Sequence, residues 1–322
     1  MHVPDGFLDA PTAVTTGVLA LTGLALALRH ARRCLPPSRV PLLGLAAAFV
    51  FAAQMINFPV AGGTSGHLVG SVLVAVLLGP SAAVIVLTAV LIVQCLMFAD
   101  GGISALGANI LNMGIIGGVG GWAVYRLVSR IVDGLFGHIL AAAFAAWCST
   151  VLAAVLCAGE LAASHTVRWS VALPGMAGVH MLIGVGEGVI TALVLVAIAR
   201  ARPEFLESDV GVDSVRPYGT LVAYGAVITL GLALFASPLA SSWPDGLDKT
   251  AEVLGFSALA SPPIIPAPVS DYSMPGIHWS VLATSIAGAV GAVVVFVLAW
   301  LLARTLVPRE QHASDHYPRP RR

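Results

Sequence analysis

The first two residues of the chain, Met1 and His2, carry three nitrogen donors that one metal ion could bind at once. The free α-amine, the amide nitrogen of His2 and the imidazole Nδ1 of His2 would close a five-membered and a six-membered chelate ring. Three nitrogens in one plane suit Ni(II) or Cu(II), which favour tetragonal coordination by nitrogen. We expect Met1 to be retained, because His2 is too large a second residue for methionine aminopeptidase. The alternative is that His2 is a chance match without a role.

A glycine-rich segment, Gly62-Gly63-Thr64-Ser65-Gly66-His67, precedes a short apolar stretch. Its glycines would let the backbone bend into a cavity and place His67 at the floor. The alternative is a flexible loop that ends in an interfacial histidine. Asn57 and Ser65, which lie in the same loop, are candidates to hydrogen-bond the metal ligands or to couple binding to transport.

Polar side chains also occur inside two later apolar segments. Asn109 and Asn112 lie three residues apart on one helix face, and His180 and Glu187 lie seven apart on another. Polar groups within a membrane are costly unless they are partnered, so each is a candidate for function or for bonding between helices. Asn109 is one turn from its helix end and could hydrogen-bond a ligand loop. His180 and Glu187 could instead form a proton relay or a hydrolytic site, but no H-E-x-x-H motif is present.

Composition identifies the elements that must position these residues as membrane helices. The chain has 322 residues, of which 58% are hydrophobic and only 10% are charged. Soluble domains carry about 25% charged residues, so we expect an all-α integral membrane protein. The net charge of zero argues against nucleic acid as a partner. The single lysine, Lys249, is not part of a G-x-x-x-x-G-K-[ST] loop, so this chain does not hydrolyse ATP by that route.

Nine apolar stretches predict nine crossings, one of them short. They fall at 12–28, 40–56, 67–78, 81–98, 106–128, 136–158, 174–199, 218–236 and 279–303. With the N-terminus outside, fourteen of the 16 basic residues lie on the inner side, and only Arg168 and Lys249 lie outside. This distribution predicts an extracytoplasmic N-terminus and a cytoplasmic C-terminus.

The chain divides into two predicted membrane regions. Residues 1–202 hold seven crossings and form the first domain, and 203–217 form a charged cytoplasmic linker. Residues 218–303 form a second domain of two helices that flank an extracytoplasmic segment, 237–278, and 304–322 form a cytoplasmic tail.

Together these motifs resemble the CbiM/NikM family, the substrate-specific components of energy-coupling-factor cobalt/nickel transporters. The resemblance is carried by Met1-His2-Val3-Pro4-Asp5-Gly6-Phe7-Leu8, the Gly62–Leu68 segment, the Gly107–Gly114 asparagine motif and the His180–Glu187 stretch. The second domain resembles the NikN or PDGLE type through Pro244-Asp245-Gly246-Leu247-Asp248, in which Asp248 replaces the usual glutamate.

The resemblance implies a seven-helix bundle whose N-terminal segment enters a central cavity. One Ni(II) or Co(II) ion, the transported substrate, would be bound there by the amine of Met1, the amide nitrogen and imidazole of His2, and the imidazole of His67. A membrane coupling subunit and two cytoplasmic ATPase subunits would complete the transporter in the cell membrane, and no catalytic cofactor is expected. The alternatives are a vitamin-binding component of the same transporter type, whose cavity would need aromatic side chains, and an intramembrane enzyme using His180 and Glu187.

Overall fold

The structure is a computed structural model that describes residues 1–202 and 218–306. The predicted linker, 203–217, and most of the predicted tail lie outside the described residues. Eleven α-helices occupy the described part of the chain. Their bounds are α1 Ala10–Cys34, α2 Val40–Gln54, α3 Ser71–Leu78, α4 Pro80–Val93, α5 Leu106–Asn109, α6 Gly121–Val128, α7 Gly134–Ala163, α8 Trp169–Ala201, α9 Gly219–Gly231, α10 Gly246–Leu254 and α11 Ser280–Leu306.

Seven of the described helical segments are long and apolar enough to cross a membrane. The prediction of an all-α integral membrane protein is therefore confirmed. The predicted 67–78 segment forms the eight-residue helix α3. The predicted 106–128 segment is one helical run in which a π-helix, Ile110–Gly120, joins α5 to α6. Such π segments often mark functional sites.

The glycine-rich loop forms a small antiparallel hairpin. Strand β1, Phe58–Val60, pairs with β2, Thr64–Gly66, with Pro59 opposite Ser65. Gly62 and Gly63 in the turn have φ of 81° and 70°, a left-handed conformation that glycine adopts without steric cost. Backbone pairing in this hairpin thus holds the approach to His67, which favours the cavity-floor interpretation over the flexible-loop alternative.

The second domain packs on the first at several places. Helices α9 and α11 both contact α2, whereas α10 contacts α8 and β2. The N-terminal residues lie beneath the segment that carries α10. Asp5 O accepts a 2.9 Å hydrogen bond from Ser261 N, and Ser241 N donates to Asn57 O at 2.8 Å. The segment between α9 and α11 therefore covers the face of the bundle at which the chain begins.

Candidate metal centre

The N-terminal segment is packed inside the protein. Met1 and His2 are only 4% and 8% exposed. Asn109, at the end of α5, pairs with the backbone of Val3 on both sides: Val3 N donates to Oδ1 at 2.8 Å, and Nδ2 donates to Val3 O at 3.1 Å. Gly102 N gives Val3 O a second donor at 2.9 Å. The backbone next to the two predicted ligand residues is therefore fixed.

Asp5 ties the same segment to the turn before α5. Its Oδ1 accepts hydrogen bonds from Ser104 N at 2.9 Å and from Ser104 Oγ at 2.6 Å. A Cβ at Gly102 would collide with the backbone of Asp5, so only glycine permits this close approach. The Pro4-Asp5-Gly6 turn thus anchors the residues that are predicted to chelate the metal.

The α-amine of Met1 and the imidazole of His67 meet at one point. Met1 N lies 3.0 Å from His67 Nε2, while His67 Nδ1 lies 3.2 Å from the carbonyl oxygen of Leu68. The Leu68 carbonyl selects the tautomer with the proton on Nδ1, which leaves the Nε2 lone pair facing the amine. Two donors each about 2.1 Å from one ion and at right angles are about 3.0 Å apart, so this pair has the spacing of neighbouring ligands.

Both ring nitrogens of His2 face acceptor oxygens. Nε2 lies 3.2 Å from Oε1 of Gln94, and Nδ1 lies 3.1 Å from Oδ1 of Asp100. Gln94 is oriented by Gln54, whose Oε1 accepts from Gln94 Nε2 at 2.9 Å. A neutral imidazole has one proton for these two acceptors. When Nε2–H donates to Gln94, the Nδ1 lone pair faces a carboxylate, an arrangement that a cation bound at Nδ1 would stabilise.

The second domain supplies a carboxylate to the Met1 amine. Asp245 Oδ2 lies 2.6 Å from Met1 N, and its Oδ1 caps α10 by accepting from Leu247 N and Asp248 N at 2.7 and 2.9 Å. The Asp245 side chain is 16% exposed. One oxygen thus holds the helix, and the other is aimed at the amine.

The buried charges shift the proton affinities of these groups. Burial alone would lower the pKa of the Met1 amine, but Asp245 outweighs it and raises the pKa above 8.0. Burial lowers the pKa of His67 to about 3, with help from the positive amine. Burial also lowers the pKa of His2, although Asp100 opposes the shift. At neutral pH both imidazoles therefore have lone pairs for a metal, whereas the amine must first lose a proton.

The His67 side of the site is held by the hairpin and by α8. Ser65 donates through Oγ to Trp243 O at 2.7 Å, and its backbone N donates to Pro244 O at 2.8 Å. Glu187 accepts from Val69 N at 2.6 Å and from Gly70 N at 2.9 Å, and it is fully buried. These contacts fix the backbone on both sides of His67.

His180 has a different position from Glu187. It lines a small cavity with Met1, His67 and Asp245, and its Nδ1 donates to Met176 O at 2.8 Å. A Cβ at residue 246 would lie 2.7 Å from His180 Cε1, so Gly246 allows the α10 segment to pack here. His180 and Glu187 thus have separate partners.

The residues that line this cavity do not include Phe, Tyr or Trp. The full set is Met1, Gly66, His67, Val69, Thr150, His180, Ile183, Asp245 and Gly246. Aromatic walls are what a vitamin site would need.

Some of the residues at this site were predicted from the sequence, and others were not. The structure brings Met1, His2 and His67 together, with Asn109, Ser65, Glu187 and His180 around them. Asn57 lies at the start of the loop, before β1, and its backbone carbonyl accepts a hydrogen bond from Ser241 N. Gln94, Asp100 and Asp245 were not predicted as site residues. Two glutamines, Gln54 and Gln94, inside apolar helices were the signal that was available, because buried amides need partners.

In the part of the chain that the structure describes, side chains alone do not form a metal site. Within the described residues, no group of three or more His, Cys, Asp and Glu side chains is placed to hold a metal ion. A ligand set built on His2 and His67 would therefore need the Met1 amine and the His2 amide nitrogen as further donors. Four nitrogens without a thiolate suit Ni(II), Co(II) or Cu(II) better than Ca(II) or a structural zinc site.

The fold and this site define a multi-pass membrane protein that buries its own N-terminus among nitrogen donors. Comparison with known proteins agrees. The family model of the cobalt uptake substrate-specific transmembrane region, CbiM, matches residues 2–205, and the PDGLE domain model matches residues 219–307. The chain therefore belongs to the CbiM family, with a PDGLE domain after the CbiM region.

Individual relatives support this assignment. The chain is 38% identical to the "Putative fused nickel transport protein NikMN" of Archaeoglobus fulgidus, over 94% of this chain and 98% of that protein. It is 31% identical to the cobalt transport protein CbiM of Geobacter sulfurreducens, over 78% and 76% of the two chains. A crystal structure of a truncated transition metal transporter covers 62% of this chain and 99% of its own, with a TM-score of 0.57 and 33% identity. The chain is thus a membrane transport component and not an enzyme.

Proposed function

We propose that this chain is the substrate-binding membrane component of an energy-coupling-factor transporter that takes up Ni(II) or Co(II) with high affinity. One observation carries the proposal: the Met1 amine and the His67 Nε2 lone pair lie 3.0 Å apart in a buried site. The adjoining His2 amide and imidazole would complete a plane of four nitrogens. The family's name and the names of the relatives support a metal substrate.

The choice of metal follows from the ligands and from availability. Nitrogen donors in a plane favour Ni(II) somewhat over Co(II), and the fused relatives are named as nickel transport proteins. By the Irving–Williams order Cu(II) would bind at least as tightly, so cellular supply must exclude it. Nickel is therefore the proposed primary substrate and cobalt the second.

The remaining transporter subunits and the orientation are part of the same proposal. A membrane coupling subunit and two cytoplasmic ATPase subunits would supply the energy, consistent with a chain that lacks a P-loop motif. The excess of basic residues in the predicted inner loops supports a cell-membrane protein with the N-terminus outside and the C-terminus in the cytoplasm. The site then faces the compartment from which metal is captured.

Replacing His67 tests the ligand set. We expect His67→Ala to weaken nickel binding to the purified full chain by about 100-fold or more, because it removes a ligand, whereas loss of a group that only orients a ligand costs about 10- to 100-fold. Isothermal titration with nickel and with cobalt measures the change. His278→Ala, which alters an exposed histidine, is the matched control and should bind as the unsubstituted chain does. Undiminished affinity in His67→Ala would remove the proposed fourth ligand.

Proton release tests the chelate chemistry. At pH 7 nickel should release about two protons, one from the Met1 amine, whose pKa is raised, and one from the His2 amide. His67 is already neutral and contributes none. Affinity should accordingly rise with pH between about 6 and 8. Titration in buffers of different ionisation enthalpy counts the protons, and release of one proton or fewer would contradict coordination by both of these nitrogens.

A further inference from the structure

Two residues of the second domain act on the donor atoms of the metal site from outside the CbiM region. Asp245 contacts the Met1 amine directly. Tyr272 acts on His2 through one intermediate, because its hydroxyl donates to Asp100 Oδ2 at 2.6 Å while Asp100 Oδ1 lies 3.1 Å from His2 Nδ1. The amine and the imidazole are the two chelating groups that can rotate about single bonds.

Asp245 is held rigidly enough to orient the amine. Its Oδ1 is committed to two backbone donors at the start of α10, so Oδ2 has a fixed direction. The α10 segment is in turn held by Ser65, whose hydroxyl and backbone N bond to Trp243 O and Pro244 O. A metal-bound amine keeps N–H groups, and one of them can continue to donate to Oδ2.

The backbone that presents Tyr272 to Asp100 has an unfavourable conformation. Asp271 and Tyr272 have φ of 54° and 53°, a left-handed conformation that non-glycine residues adopt rarely. The Tyr272 ring stacks on Phe98 with centroids 4.6 Å apart and planes at 14°. Val269 N also donates to Met97 O at 3.0 Å. Two consecutive strained residues persist only where surrounding contacts hold them in place. The stacking on Phe98 and the hydrogen bond from Val269 to Met97 do so here.

We propose that the second domain determines the geometry of the metal site, with Asp245 positioning the Met1 amine and Tyr272 positioning the His2 imidazole through Asp100. The inference rests on the proposed function, because it assigns positioning residues to the same chelate. Neither residue is proposed as a ligand. Loss of a group that orients a metal ligand commonly costs about 10- to 100-fold in affinity.

Variants of the full chain separate positioning from folding. Asp245→Ser retains a helix-capping hydroxyl for α10 but is too short to reach the amine. We expect it to weaken nickel binding by about 10- to 100-fold, and Tyr272→Phe by about tenfold, with the thermal unfolding midpoint little changed. The visible absorption of bound nickel should shift in both variants, a change that a purely structural role would not produce. Asp245→Glu, which keeps the carboxylate, should recover part of the affinity.

The controls are Glu252→Gln and Tyr224→Phe, since both residues are exposed and neither contacts the donors. His67→Ala is titrated in parallel. If His67→Ala loses affinity while Asp245→Ser and Tyr272→Phe bind nickel with unchanged affinity and spectrum, the positioning role is wrong and the proposed function stands. If the unsubstituted chain binds neither nickel nor cobalt, the proposed function itself fails, whereas equal binding by His67→Ala and the unsubstituted chain removes only the proposed fourth ligand.

Discussion

A chain lengthened by several residues ahead of Met1 is expected to bind nickel more than about 100-fold more weakly than the chain that begins with Met1. The extension converts the amine into a peptide nitrogen and so removes a ligand, whereas loss of a residue that only orients a ligand costs about 10- to 100-fold. It also forces a residue into the space where Met1 N lies 2.6 Å from Asp245 and 3.0 Å from His67. Isothermal titration with nickel measures the loss.

The matched control uses the extended chain itself. An extension that ends in a protease site can be removed to regenerate the Met1 amine, and cleavage should restore the affinity. A residue added after Arg322 should have no effect, because it leaves the amine free. Equal nickel affinity before and after cleavage would show that the amine is not a ligand. The two imidazoles and the His2 amide would then be the remaining proposed ligands.

Local sequence signals were enough to predict the membrane class and the first two proposed ligand residues. Apolar composition and segment length predicted the membrane class, since the bilayer imposes helices of a set length. The donors at Met1 and His2 could be proposed because a chelate within one dipeptide depends only on covalent geometry. His67 required the family resemblance to connect it with the N-terminus, 66 residues away in the chain.

The residues that surround the site could not be predicted from local sequence signals. Gln94, Asp100 and Asp245 meet the first two residues through contacts that join distant elements, up to 244 positions apart in the chain. No local pattern encodes such a pairing. From the sequence alone, the acidic residues of the 237–278 segment could either attract cations or form a solvated surface that clamps the loop near the N-terminus. The cap geometry of α10 and the contact with the Met1 amine show that Asp245 turns inward. Only the three-dimensional structure therefore shows that the second domain contacts the site.

Glu187 shows the same division between what a residue type indicates and what its contacts define. A carboxyl group within a membrane helix marked it as a candidate, with a proton relay, catalysis and structure all open. In the structure its two oxygens accept from the successive backbone donors Val69 N and Gly70 N. It lies in α8 and thus clamps the chain two and three residues after His67.

Replacing Glu187 by Gln is expected to lower the free energy of unfolding by about 2–4 kcal/mol and to weaken nickel binding by about tenfold. The glutamine offers one acceptor in place of two, so its NH₂ group must face one of the buried backbone donors, which loses its partner. The backbone after His67 then shifts, and Nε2 no longer keeps its spacing from the amine. Chemical denaturation in detergent measures the stability, and nickel titration measures the affinity.

Glu160→Gln is the matched control, because it alters another buried carboxyl group in a membrane helix. Glu160 Oε2 accepts from Asn112 Nδ2 at 2.7 Å, and a glutamine oxygen can accept the same bond. We therefore expect nickel affinity to be unchanged in this variant. If Glu187→Gln lost transport but kept its stability and its nickel affinity, the clamp would be wrong and Glu187 would act in coupling. A loss of both stability and affinity confined to Glu187→Gln would instead show that α8 holds His67 in register with the N-terminus.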